Sequence, residues 1–321
     1  MRKHTCLILV LILLLSRCSF HIDLLGKDTI QEVVLVDSKA KDKILIIDIS
    51  GIIGMALKPG LLERESDIVS RVYSRLQKAS EDRRVKGIIL RLDTPGGEVT
   101  ASDILFNEIR KFRDNTDVPV VSLMMGVAAS GGYYIAAASD HIIAHPSTIT
   151  GSIGVISLFP NLEELFAKIG VEINVIKSGS MKDSGSAFRD LTDDEKAVFQ
   201  TVVDELYTKF LDVVLEGRRG ALTLDELKTI ADGRIYTAQQ ALSLKLIDEI
   251  GYYDAALSKV MSLAGIEDAR IITYTYYPKQ KTNIYATQLA HPSMFETKDF
   301  QSLFHSLKSG FYYLWLPQIS R

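Results

Sequence analysis

The sequence predicts an α/β protein built on a mostly parallel sheet with helices on its faces. Three observations carry that expectation. Continuous apolar runs rich in β-branched residues recur at Lys43 to Ile49, Val85 to Leu92 and Val118 to Met125, as strands buried on both faces require. Segments of helical period separate those runs. Glycine-rich turns, Asp93-Thr94-Pro95-Gly96-Gly97 and Gly126 to Gly132, follow the second and third runs. The ligand site of such a sheet lies there, beyond the carboxyl ends of its strands.

Taken in order, Gln31 to Val36 reads as an edge strand and Lys43 to Ile49 as the first buried one. Glu65 to Ala79 follows as a helix with Ile68, Val69, Val72 and Leu76 on one face. Val85 to Leu92 leads through the first glycine turn into a helix over Glu98 to Arg113. Val118 to Met125 leads through the second turn into a helix that Ser130 opens, and Asp140 to Ala144 is a further short strand. Leu162 to Ile169 is predicted helical and Val171 to Lys177 a strand. Thr192-Asp193-Asp194-Glu195 is a capping box that starts a long helix. Shorter helices are expected at Thr223 to Ile230, Thr237 to Leu244 and Tyr253 to Leu263, and a strand at Ile271 to Tyr276. Beyond Pro278 the pattern dissolves until an aromatic run, Phe311 to Leu316. That run is either an oligomer or membrane contact or a flap that returns to the core.

A chain of 321 residues can hold one large or two modest domains. With 37 basic and 40 acidic residues, no positive excess points to nucleic acid. Cys6 and Cys18 are the only cysteines, so the body holds no disulfide and no cysteine metal site. Arg2, Lys3 and His4 precede the apolar run Cys6 to Leu15, which reads as the charged and apolar regions of a secretory signal. The run is shorter than the ~20 residues a bilayer span takes. The expected location is therefore a cell membrane, with the body on its extracytoplasmic side. The leader is then cleaved, kept as an anchor, or lipidated at Cys18, although Arg17 departs from the lipoprotein pattern. The expected division is 1–22 as leader, 23–40 as linker and edge strand, 41–265 as the folded α/β body and 266–321 as a C-terminal extension.

Ser130 stands where a strand gives way to a helix, with small residues behind it. Such a hydroxyl can point out of the strand ends as a nucleophile, or it can simply cap the helix. A serine nucleophile needs a base. Histidine is the usual one, but His141 and His145 have no carboxylate ordered onto them in sequence, and the other four lie in the leader and the tail. No HExxH or Cys/His cluster is present, so neither a metal nor another cofactor is expected. A desolvated lysine can replace histidine, because burial lowers an amine from about 10.4 toward the working range. Lys182, in a small-residue loop after a predicted strand, is a candidate, and the alternative is a solvated surface lysine. Gly96 and Gly97, with Gly131 as a further possibility, can aim backbone N–H groups at a developing oxyanion, or can simply make tight turns.

Over nearly all of residues 40–265 the chain resembles the signal peptide peptidase A family of membrane-bound serine proteases, in its short single-unit form. The likeness rests on Arg91 to Gly97, Ala128 to Tyr134, Thr150 to Val155, Lys177 to Asp183 and Ala231 to Tyr236, in that order. It implies a nucleophile at Ser130, a general base at Lys182, and Ser152 as the residue that hydrogen-bonds the lysine. It also implies a crotonase-like (ClpP-like) fold, a layered parallel sheet with flanking helices. A homo-oligomeric ring or dome that degrades peptides left by signal-sequence removal is implied as well. Thr94 stands where the family often has serine. Two other readings fit the same fold: a crotonase-like acyl-coenzyme A enzyme, and a catalytically inactive membrane-associated scaffold.

Overall fold

The apolar runs form the strands expected of them. In the computed structural model, which describes residues 30–54, 67–276, 283–284 and 310–315, Lys43–Ser50 (β2), Val85–Thr94 (β3) and Val120–Ala129 (β5) lie side by side and parallel. His141–Ala144 (β6) and Glu249–Ile250 (β10) extend the sheet in parallel on one side. On the other, Arg270–Thr275 (β11) runs parallel to β2, and Gln31–Val36 (β1) closes the edge antiparallel. The order is β1-β11-β2-β3-β5-β6-β10.

Alternate residues of each strand face opposite sides, and both sides are covered. Leu45, Ile47, Ile88 and Leu90 pack with the helices Ile68–Glu81 (α1), Val99–Thr116 (α2) and Gly131–Ala136 (α3). Ile44, Ile46, Ile89 and Val121 pack with the helix Tyr253–Ala264, numbered α8 below, through Tyr253, Ala256 and Val260. The result is a mixed α/β fold with a large central sheet and flanking helices.

Side chains satisfy the first N–H groups of several helices. Asp67 accepts from the Ser70 N–H at 2.9 Å at the head of α1. The capping box read at Thr192 and Glu195 is formed and opens the 25-residue helix Asp193–Gly217 (α5). Boxes of the same kind, Thr223 with Glu226 and Thr237 with Gln240, open Leu224–Ile230 (α6) and Ala238–Ser243 (α7).

Two departures from simple parallel order shape the carboxyl end of the sheet. The strand β5 changes neighbour along its length. Val121 to Met124 pair with β6, whereas Val127 to Ala129 pair with Ile149–Gly151 (β7), itself antiparallel to Ile235–Thr237 (β9). A separate three-stranded sheet stands beside these strand ends. It holds Gly96–Glu98 (β4), Gly310–Leu314 (β12) and Ile156–Leu158 (β8), with β12 in the middle and antiparallel to both.

Three expectations change or resolve here. Residues 171–177 form no strand. The segment follows the short helix Glu163–Lys168 (α4) and is exposed throughout, because no neighbouring strand lies beside it among the described residues. The aromatic tail resolves as the returning flap, with Tyr313 fully buried. The membrane location is corrected. Among the described residues no helix is long and apolar enough to cross a membrane, and the aromatic run spends residues 310–314 on a strand of the fold. The leader, 1–22, lies outside the described residues.

Candidate active site

Ser130 sits between β5 and α3 and is 1% exposed. Its backbone has φ 53° and ψ −114°, a region that non-glycine residues rarely adopt. The sharp turn is fixed from both sides: the Ser130 N–H donates to the Gly151 carbonyl at 2.8 Å, and its own carbonyl accepts from the Tyr134 N–H at 2.9 Å. The hydroxyl makes no capping bond to the helix. The side chain therefore does not act as the cap that the sequence also allowed.

Ser152 follows directly after β7, the strand that pairs with the end of β5. It too has a left-handed backbone, φ 49°, and its N–H donates to the Arg234 carbonyl at 2.7 Å. Of the four non-glycine residues with positive φ among the described residues, two are thus Ser130 and Ser152. Strain of this kind costs on the order of 1–3 kcal/mol per residue and persists where the surroundings over-determine it.

The two glycine turns meet. Thr94 Oγ1 donates to the Gly51 carbonyl at 2.6 Å and accepts from the Gly96 N–H at 3.1 Å, so a threonine serves this turn as a serine would. The Ile53 N–H donates to the Gly96 carbonyl at 2.9 Å, and the Glu98 N–H donates to the Ile53 carbonyl at 2.8 Å. A Cβ on Gly96, whose φ is +98°, would lie 2.7 Å from the Gly131 nitrogen, and one on Gly97 would lie 1.9 Å from the Ile53 oxygen. Only glycine fits either place. Ser130, Gly131, Gly96, Gly97 and Ser152 therefore converge at the carboxyl ends of β3, β5 and β7.

Lys182 stands apart. It is exposed, on a turn closed by the Lys182 N–H to the Gly179 carbonyl at 3.1 Å, and no hydrogen bond joins it to Ser130 among the described residues. Its ammonium has no ion-pair partner among the described residues, unlike that of its neighbour Lys177. Lys177 Nζ donates to Asp183 Oδ1 at 2.6 Å, and Asp183 also accepts from Arg189, which reaches Glu195 Oε2 at 2.9 Å. Arg189, and then Lys177, hold the Asp183 carboxyl well below the usual carboxylate range. Arg189 and the Thr192 N–H hold Glu195 at about 2. This network, invisible in the sequence, ties the Lys182 loop to the head of α5. It leaves Lys182 as the uncommitted amine of the pair.

Sequence reasoning also missed the strand that lies across the glycine turns. The aromatic run was the available signal, but nothing in it names β4 and β8 as neighbours.

The sequence matches the profile of peptidase family S49 over residues 112–267, and that of the Clp protease family over residues 62–149. An Enterococcus faecium protein that carries the provisional name signal peptide peptidase SppA is 36% identical over 249 residues, covering 78% of this chain and 72% of that protein. A provisionally named protease of Synechocystis sp. is 35% identical, covering 73% of this chain and 79% of that protein. Protease 4 of Haemophilus influenzae is 34% identical over 69% of this chain, which spans only 35% of that longer protein. With a strained serine and two fitted glycine turns at the sheet's carboxyl end, the chain belongs to peptidase family S49, a family of serine peptidases that degrade signal peptides and other proteins.

Proposed function

We propose that Ser130 and Lys182 form a Ser/Lys dyad that hydrolyses peptide bonds. Neutral Lys182 takes the Ser130 proton as the serine oxygen attacks a peptide carbonyl. The Gly97 N–H, with that of Gly131, holds the resulting oxyanion, and Gly96 lets the turn approach closely. Lys182 then gives its proton to the departing amine. Water, deprotonated by the same lysine, releases the acid and regenerates the serine. Ser152, one residue beyond the Gly151 carbonyl that holds Ser130, is suited to position the lysine amine.

The observation that carries this reading is the state of the Ser130 hydroxyl: held at a strained junction, unused as a cap, beside two turns that only glycine can make. The peptidase reading needs no metal and no cofactor. A crotonase-like (ClpP-like) arrangement of the layers is part of the proposal, supported by the parallel β2-β3-β5-β6 core and the match to the Clp protease profile.

A second copy of the chain completes the site. A neutral amine base must be shielded from water, yet Lys182 is exposed in the single chain. The segment that leads to it shows Leu165, Ile169, Val175, Ile176 and Met181 to solvent, Ile176 completely. So much exposed apolar surface marks an interaction face, and a closed homo-oligomeric ring or dome would cover it. The lysine then serves the serine of the neighbouring copy. Turnover of a fluorogenic peptide by the purified chain, lost in Ser130→Ala and Lys182→Ala, tests the reading. Undiminished turnover in either variant would refute it.

A further inference from the structure

Tyr134 is bonded at both ends. Its N–H donates to the Ser130 carbonyl at 2.9 Å, and its hydroxyl donates to Asp103 Oδ1 at 2.7 Å. The ring between them is fully buried, 5.5 Å from Phe106 and 5.0 Å from Phe210. Burial, and then the Asp103 carboxylate, push the hydroxyl far above the ordinary tyrosine range, so it stays a donor. One residue thus joins the strained serine to α2.

The same helix meets the turn a second time. Ser102, beside Asp103, is fully buried and donates its hydroxyl to the Glu98 carbonyl at 2.9 Å. A Cβ on Gly131 would lie 2.5 Å from Ser102 Oγ. The six-residue α3 is too short to hold its own first turn. The hold comes from α2, with Ser102 behind Gly131 and Asp103 on Tyr134.

The second oxygen of Asp103 serves another helix. Asp103 Oδ2 accepts from Lys209 Nζ of α5 at 2.7 Å. The head of α5 is tied to the Lys182 loop through Glu195, Arg189 and Asp183. Between Asp193 and Lys209 this helix buries only Glu195. It then meets the Asp103–Tyr134 pair with two successive residues, Lys209 on the carboxylate and Phe210 on the ring. From Glu195 to Lys209 the helix runs about 21 Å as a rod. The Asp103 side chain is 32% exposed and that of Lys209 49%, so their ion pair adds little to stability. What it fixes is a direction.

We propose that Asp103 is a positioning residue for the peptidase reaction: one oxygen on Tyr134 and the other on Lys209 set the Ser130 turn against the helix that carries the Lys182 loop. This rests on the reading of Ser130 and Lys182 as the dyad. Proton transfer needs the two groups within hydrogen-bond reach, and a displacement of about 1 Å can cost about 10²-fold in rate. In a ring or dome whose loops serve neighbouring serines, Asp103 joins the base a chain gives to the nucleophile it keeps.

The test compares kcat and KM for a fluorogenic peptide in the full chain and in Asp103→Ala, Tyr134→Phe, Lys209→Met and Lys209→Arg, with urea unfolding of each. Tyr134→Phe keeps the buried ring, and Lys209→Met changes a half-exposed side chain, so both read the link even where Asp103→Ala fails to fold. The proposal expects kcat to fall about 10- to 10²-fold in Tyr134→Phe and in Lys209→Met, with KM unchanged. Combining those two should cost no more than Asp103→Ala alone, because both act through one carboxylate. Lys209→Arg, which keeps the cation, should recover the rate. An unchanged kcat in either Tyr134→Phe or Lys209→Met overturns the proposal. So does unfolding of either, which would make the link part of the framework alone. Fluorophosphonate labelling of the unaltered chain separates the two failures. Absence of an adduct on Ser130 sinks the dyad, whereas a labelled Ser130 with undiminished turnover in the variants sinks only the role of Asp103.

Discussion

The Ser130 N–H donates to the Gly151 carbonyl at 2.8 Å, and this one bond ties two serines with left-handed backbones, Ser130 at φ 53° and Ser152 at φ 49°, to adjoining strand ends. Both strained positions belong to the same junction between β5 and β7. The backbone there is held by the strand pairing and not by either hydroxyl.

A stability prediction follows for Ser130→Ala. An ordinary N-cap serine contributes about 1 kcal/mol, but the Ser130 hydroxyl makes no capping bond. The variant should keep its denaturation midpoint within about 0.5 kcal/mol of the parent while losing all turnover. A loss of about 1 kcal/mol or more in urea unfolding would restore the hydroxyl to a structural role.

The two lysines of the loop should separate cleanly. Lys177 is committed to Asp183, whereas Lys182 has no such partner among the described residues. Replacing Lys182 by alanine should lower peptidase activity by about 10²–10⁴-fold without changing the particle size. Lys177→Ala should retain most activity. Mixing and co-assembling Ser130→Ala with Lys182→Ala should recover part of the rate if each lysine serves a neighbouring copy. A mixture as inactive as its components would place both groups in one chain.

The glycine turns should tolerate nothing larger. A methyl on Gly97 would meet the Ile53 oxygen at 1.9 Å, and one on Gly96 the Tyr313 oxygen at 2.0 Å. Both obstacles are backbone atoms, which move only with their strands. Gly97→Ala should cost about 3 kcal/mol or prevent folding altogether. Normal stability in that variant would mean that the turn is looser than the contacts imply.

Acid should release the Lys182 loop. Asp183 and Glu195 titrate lower in the folded chain than in an unfolded one, because Arg189 and, for Asp183, Lys177 donate to them. A carboxylate with a lowered value contributes its stabilisation above the unfolded value. It loses that contribution as pH falls through the folded value, which for Glu195 is about 2. Hydrogen exchange at residues 177–190 should therefore stay slow from neutral pH down to about 4.5 and quicken toward about 2. Quickening already above about pH 6 would contradict the network.

The central sheet was legible because strands buried on both faces must be apolar throughout, and Lys43 to Ile49 and Val85 to Leu92 announce this directly. Ser130 and the glycine turns were legible because a sharp strand-to-helix junction needs small residues. The failures share one cause. Val171 to Lys177 has strand-forming residues but no strand to pair with among the described residues, and pairing is a non-local property. The tail posed the same problem in reverse: Phe311 to Leu314 has partners, yet they lie more than 150 residues away in β4 and β8. The Asp183–Arg189–Glu195 links, each six residues apart, follow no helical or strand period. The apolar leader suggested a membrane location that the described fold does not carry.

The most direct measurement is the site of covalent labelling by a fluorophosphonate probe, read by peptide mass spectrometry on the full chain and repeated for Lys182→Ala. The account predicts a single adduct on Ser130, formed far more slowly when Lys182 is absent. An adduct on another serine, or labelling of Ser130 at an unchanged rate without Lys182, would contradict it.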